Sequence, residues 1–282
     1  MSLHAFATEW GTDGPIGLAF TLLAVASGVV YLLATEIGRR RDRRRRRWPR
    51  RRSACFIAGL AVLVIDLDSG IGSLADDHLA AHMIEHMVMW LIVAPLLAAG
   101  GPVRLALFAC GREGRRRLAR WLHSRPVTAL TSPLGSVALF SVVLLGTHLP
   151  AVYGLTLKDE WVHVCEHALY LVCSVLIWAP LLGVDPLPGR VTARGRGLCM
   201  AACMVPMAIV GVWLLVAGAP VYAHYRDVLG TTGALHDQRT AALIMLLAGV
   251  PAFGVVPLAR LARLIPVPSL RSWAVEPDQL VV

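Results

Sequence analysis

LAAHMIEHMVMWLIVAPLLAAGG, residues 79–101, decides how this chain must fold. A run of this length can cross ~30 Å of hydrocarbon at ~1.5 Å per helical residue. In hydrocarbon the backbone must satisfy its own hydrogen bonds, so the segment must be a helix. Yet it carries His82, Glu85 and His86 in the pattern H-x-x-E-H. Positions i, i+3 and i+4 share one helical face, so these three side chains form a patch, and His78 extends it by a turn. The pattern returns as HVCEH, residues 163–167, inside another apolar run. His163, Glu166 and His167 form a second patch of the same composition.

The whole chain agrees with a membrane reading. Of its residues 56% are hydrophobic and 16% charged, against about 25% charged in a soluble domain. Mean hydropathy is +0.63. The net charge of +9 is carried by arginine, and Lys158 is the only lysine. The arginines lie in blocks between apolar segments, so membrane topology explains them better than nucleic-acid binding does. The six cysteines all lie in or beside apolar segments, which predicts reduced thiols and no disulfide framework. No basic residue precedes Arg39, so the first apolar run reads as a retained anchor, with no cleavable leader.

The expectation is an all-α, polytopic bundle of seven transmembrane helices forming one domain. The spans fall near residues 16–37, 54–74, 79–99, 130–149, 161–183, 198–218 and 239–259. Asp66 and Asp68 interrupt the second span. A basic linker at 39–52 holds eleven arginines, and a tail follows from 260 to 282. Counting orients the bundle. The linker, the stretches 100–127 and 184–197, and the tail hold 24 of the 27 basic residues, all on one side of seven spans. The positive-inside rule places that side in the cytoplasm, with the N-terminus outside. Nine of the ten histidines fall at the opposite end, His123 being the exception. Outer carboxylates, among them Asp76, Glu85, Glu166 and Asp237, accompany them.

Both H-x-x-E-H segments lie within about two turns of the outer ends of parallel helices. They can face each other at one depth. Imidazole is the commonest metal-ligand side chain and suits copper, zinc and iron. Ionisable groups cost ~2.5–3.5 kcal/mol each at membrane depth, so they cluster around a partner. A cation is one such partner, with Glu85 and Glu166 as ligands or as acceptors that orient an imidazole. His148 and His236 belong to the same end. H-x-x-E-H also marks inverted zinc peptidases, but those need an accessible site and a further carboxylate ligand. Neither a nucleophile set nor a cofactor fingerprint is present, so no enzyme is expected. Met83, Met87, Met89 and Cys165 flank the motifs. Soft sulfur ligands favour Cu(I), although methionine also packs well in apolar cores. Cys199 and Cys203 form an i, i+4 pair in the inner half of the sixth span. A haem held by one histidine from each facing helix is the competing reading.

Three stretches resemble a known family. HMIEHMVMWLIVAPLLAAGGPVRL, HLPAVYGLTLKDEWVHVCEHALYLVCSVLIWAPLLG and APVYAHYRDVLGTTGALHDQRTAALIM are similar to the CtaG-type cytochrome c oxidase assembly factors of bacteria. They look like that family's histidine-methionine helix, its histidine–proline–tyrosine loop with a second H-x3-H helix, and its tyrosine pair and D-Q motif. The resemblance covers the chain from the second span to the seventh. It makes His82, His86, His148, His163, His167, Asp237 and Gln238 the signature positions. It implies a protein of the bacterial cell (inner) membrane that helps build an oxidase. The oxidase subunit that receives copper would be the partner, and copper the ion handled.

Overall fold

The computed structural model describes residues 15–42, 47–68, 70–188 and 191–261. Among these residues the chain is helical, with no strand. Helix α1 spans Pro15–Arg41, α2 Arg50–Asp68 and α3 Gly70–Asp77. Helix α4 (Leu79–Val88) continues through a wider turn, Met89–Val93, into α5 (Ala94–Gly100). Short helices α6 (Pro102–Ala109), α7 (Arg112–Leu122) and α8 (Arg125–Leu130) follow. Then come α9 (Pro133–Thr147), α10 (Pro150–Thr156), α11 (Glu160–Leu182), α12 (Ala193–Val216) and α13 (Ala223–Leu261). The expected tail at 260–282 and part of the 39–52 linker lie outside the described residues.

Five of these stretches are long and apolar enough to cross a membrane: Gly17–Arg41, Leu79–Ala109, Glu160–Leu182, Ala193–Val216 and Ala223–Val255. A sixth is reached if α9 and α10 are taken as one span, bent by 81°. The expected second span differs most. Helix α2 carries Arg50, Arg51 and Arg52 at one end and Asp66 and Asp68 at the other. Helix α3 then takes over at Gly70. The last helical stretch starts well before the expected residue 239, as two helices joined at a kink: Gly230, at φ 72° and ψ 166°, is non-helical.

Proline and glycine explain the irregular places. Pro95 has no N–H to give to the turn before it. The preceding turn widens, and Ala94 N–H bonds to Met89 O, five residues back. Trp178 Nε1 on α11 donates to the Trp90 carbonyl there at 2.6 Å. Gly101, at φ 66°, closes α5 in the left-handed region. A Cβ there would lie 3.0 Å from both Arg52 Nη1 and Val184 Cγ1.

The strand of helix from Leu79 to Gly100 is the axis of the bundle. Helix α4 packs on α13, while α5 packs on α2 and α11. Helix α1 lies at the edge against α2 and α6, with Leu22, Leu23, Val25 and Val30 exposed. Such an apolar outer surface suits lipid. The main core runs through Met83, Trp90, Phe140, Leu144, Ile177, Trp178, Met207 and Met245.

Candidate metal centre

The two H-x-x-E-H patches face each other across the α4–α11 contact. Their depth is pinned by α13. Asp237 Oδ2 accepts from Ala80 N–H at 3.3 Å in the first turn of α4. Asp237 Oδ1 lies 3.5 Å from His78 Nδ1. Next in sequence, Gln238 accepts from Val221 N–H at 2.7 Å and donates to the Leu214 carbonyl at 2.9 Å. Helix α11 is started by Asp159, whose Oδ1 accepts from Trp161 and Val162 N–H.

His82, Glu85, His86, Glu166 and His167 are buried, and His163 is partly so. The rings of His82 and His163 lie 5.3 Å apart between centroids and nearly parallel, at 15°. Those of His86 and His167 lie 5.1 Å apart. Across the turn, His82 Nε2 and His86 Nε2 share a hydrogen bond of 2.8 Å. Glu166 reaches over from α11, with one oxygen 3.9 Å from His82 Nε2 and the other 3.9 Å from His86 Nε2. Reciprocally, Glu85 Oε2 lies 3.7 Å from His167 Nε2. Ligand atoms of His82, His86 and Glu166 all fall within 4.8 Å of one another.

The polar atoms of this cluster are short of partners. His82 Nδ1, His86 Nδ1, His163 Nε2, His167 Nε2, Glu85 Oε2 and both oxygens of Glu166 are buried without a hydrogen bond. Orphaned buried polar groups cost ~1–3 kcal/mol each, and more when charged. A cation bound among them would satisfy several of these atoms at once. The donor set fits a transition metal of borderline softness, which takes imidazole and carboxylate together. His167 is also held in the right tautomer: its Nδ1 donates to the His163 carbonyl at 3.1 Å, so Nε2 keeps its lone pair.

The other expected ligands are placed differently. His148 is buried one layer below the cluster, with Nδ1 donating to the Leu144 carbonyl at 2.8 Å. His78 and Asp237 pair with each other at the mouth and pin the helix start. His236 is exposed on α13, because the neighbouring face that carries Asp237 turns toward α4. Asp66 and Asp68 are buried, and Asp68 accepts from the Thr21 hydroxyl. Cys199 and Cys203 are buried on α12, with Cys199 beside the start of α9 at Pro133.

The tyrosines that wall the cluster enter the sequence analysis only through the family resemblance, and none was expected in the site. Tyr153 and Tyr225 share a 2.8 Å hydrogen bond, and the Tyr153 ring lies 5.3 Å from His82. Tyr222 donates to the His148 carbonyl at 2.9 Å, and the Tyr170 ring stacks on His86 at 4.1 Å. The available signal was the position of Tyr170, one turn past Glu166 on the same face of α11. Tyr153, Tyr222 and Tyr225 lie in the stretches that carry the family resemblance.

Comparison with known proteins gives a consistent answer. The profile of one family, described as "Cytochrome c oxidase caa3 assembly factor (Caa3_CtaG)", matches residues 29–265. An uncharacterized protein of Mycobacterium bovis is 31% identical over 231 residues, covering 78% of this chain and 34% of its own length. An uncharacterized protein of Mycobacterium leprae is 27% identical over 231 residues, 79% of this chain and 34% of its own. The chain thus spans about a third of the length of the curated relatives it matches. No solved structure matches it.

Proposed function

The chain belongs to the cytochrome c oxidase caa3 assembly factor family, and from that premise we propose that it is a copper carrier. In this reading it loads copper at the outer end of the bundle and passes it to an oxidase subunit in the bacterial inner membrane. The observation that carries the reading is the convergence of His82, His86, His163, His167, Glu85 and Glu166, with both Glu166 oxygens, Glu85 Oε2, His163 Nε2 and His167 Nε2 unpartnered and with His82 Nε2 and His86 Nε2 bonded to each other. His82, His86 and Glu166 would hold the ion, with His163, His167 and Glu85 beside them. The ion is cargo. It must leave as well as enter, and a mixed imidazole–carboxylate set that also shares internal hydrogen bonds suits moderate affinity.

Topology belongs to the same proposal. We infer that α2 with α3 completes a seventh crossing, its charged ends lying at the two membrane surfaces. The arginine blocks then lie inside, and the cluster opens to the outside. Haem held by two histidines is the weaker reading. The four imidazoles pack ring against ring at 4.4–5.8 Å between centroids, which leaves no slot for a macrocycle between α4 and α11.

The test is metal analysis of protein purified from copper-fed cells. About one copper per chain is expected. The pair His82→Ala with His163→Ala, and separately the pair His86→Ala with Glu166→Gln, should abolish it. Full copper content in both double variants would remove the proposal.

A further inference from the structure

One layer below the cluster lies a cavity of about 10 Å³, lined in part by His86, His148, Met83, Met87 and Met245. We propose that this cavity is a second cation site, selective for a soft monovalent ion such as Cu(I). The proposal deepens the carrier reading above and rests on it for the source of the ion.

Three observations carry it. The first is the orientation of His148. Its Nδ1 donates to the Leu144 carbonyl at 2.8 Å, which fixes the tautomer and leaves a lone pair on Nε2. That Nε2 is buried without any partner. His148 itself is 2% exposed, so no solvent compensates it.

The second is the company it keeps. Met83 and Met87 are one turn apart on α4, and Met245 comes from α13, all three buried. Three thioethers from two helices and two imidazoles, His86 and His148, each with an unpartnered nitrogen, border one void. Methionine has three rotatable bonds, so its sulfur can move onto a guest without moving the backbone.

The third is size and polarity. The void has room for about one water-sized sphere. Beside the two imidazoles the walls carry the Trp90 indole and the Tyr170 ring, and the rest of the lining is thioether, aliphatic and aromatic surface. A thioether is a poor partner for water and a good one for Cu(I). The lining therefore suits a soft ion better than solvent.

His86 borders both this cavity and the upper cluster. The upper set offers nitrogen and oxygen, and the lower set nitrogen and sulfur. Divalent and monovalent ions are thereby sorted to different layers that share one side chain.

The experiment compares two ions on detergent-purified full-length protein. Zn(II) probes the upper set, and Ag(I), a redox-silent stand-in for Cu(I), probes the lower set in chloride-free buffer. The triple variant Met83→Leu, Met87→Leu, Met245→Leu is compared with the wild type. The six cysteines are common to both proteins, so the difference isolates the thioethers. Leucine conserves the volume, which favours folding. The triple variant should lose Ag(I) affinity by at least about tenfold and keep Zn(II) within about twofold. Glu85→Gln with Glu166→Gln should do the reverse. A second measurement needs no variant: X-ray absorption at the copper edge of Cu(I)-loaded, selenomethionine-labelled protein should show selenium as a direct neighbour of copper.

Ag(I) affinity unchanged in the triple variant, or no selenium next to copper, overturns the inference. Wild-type protein that binds Zn(II) but no Ag(I) overturns this site alone. Protein that binds Ag(I) through the methionines but neither Zn(II) nor Cu(II) overturns the upper site and leaves this one standing.

Discussion

Glu166 reaches both His82 and His86 at 3.9 Å, whereas Glu85 reaches only His167, at 3.7 Å. The two glutamates occupy matching places in their motifs but not in the site. Glu166→Gln should therefore weaken copper binding by about 10–100-fold, with Glu85→Gln the milder change, as for a group that orients a ligand. Titration against a chromophoric chelator reads this directly. His236→Ala should leave affinity within about twofold, since an exposed side chain contributes little to a buried site. A large loss in that variant would contradict the placement of His236. Binding should also release protons and weaken as pH falls, because imidazole and carboxylate must be deprotonated to ligate. At this scale the residues were legible from spacing alone. Their division of labour was not, because the register between α4 and α11 decides which carboxylate bridges two rings.

Single turns hold the helices in the places the site requires. Gly101 ends α5 at φ 66°, with Arg52 and Val184 packed against it. Gly101→Ala should lower stability by roughly 1–2 kcal/mol from the left-handed backbone alone, and by more from the contact. Gly146→Ala, in α9 with nothing near its Cβ, is the matched control and should be neutral or stabilising by up to ~1 kcal/mol. Asp185, in the loop between α11 and α12, caps α6 by accepting from Val103 and Arg104 N–H at 3.3 and 2.8 Å. Burial pushes its carboxyl up to about 6, against the pull of those two hydrogen bonds. The folded protein therefore holds this proton more tightly than the unfolded chain does. Stability from this group is full below about pH 4 and falls as pH rises to about 6, by roughly 3 kcal/mol. Asp185→Asn keeps an acceptor for the backbone and should flatten that part of the pH profile in thermal unfolding. Proline and glycine announced several of these places in the sequence, but the widened turn before Pro95 did not follow from Pro95 alone. It needed the Trp178 indole to take the Trp90 carbonyl.

For the whole molecule, the question is which end faces which compartment. Single cysteines introduced in a background without the native six should report it. A cysteine at Glu160 should react with a membrane-impermeant maleimide in intact spheroplasts, and one at Glu113 only after lysis. The opposite pattern would invert the proposed topology. Sequence by itself determined the helical class and the placing of most apolar segments, because a backbone in hydrocarbon has no alternative to helix. It also determined the charge asymmetry and the two patches, since a period of 3.6 puts i, i+3 and i+4 on one face. Tertiary structure alone decided that the patches share one space, that His78 and Asp237 serve the helix start, and that His148 lies a layer deeper with methionines. Those facts depend on the rotation and axial offset of each helix against its neighbours. Side-chain packing sets both quantities, and no pattern along a single segment encodes them.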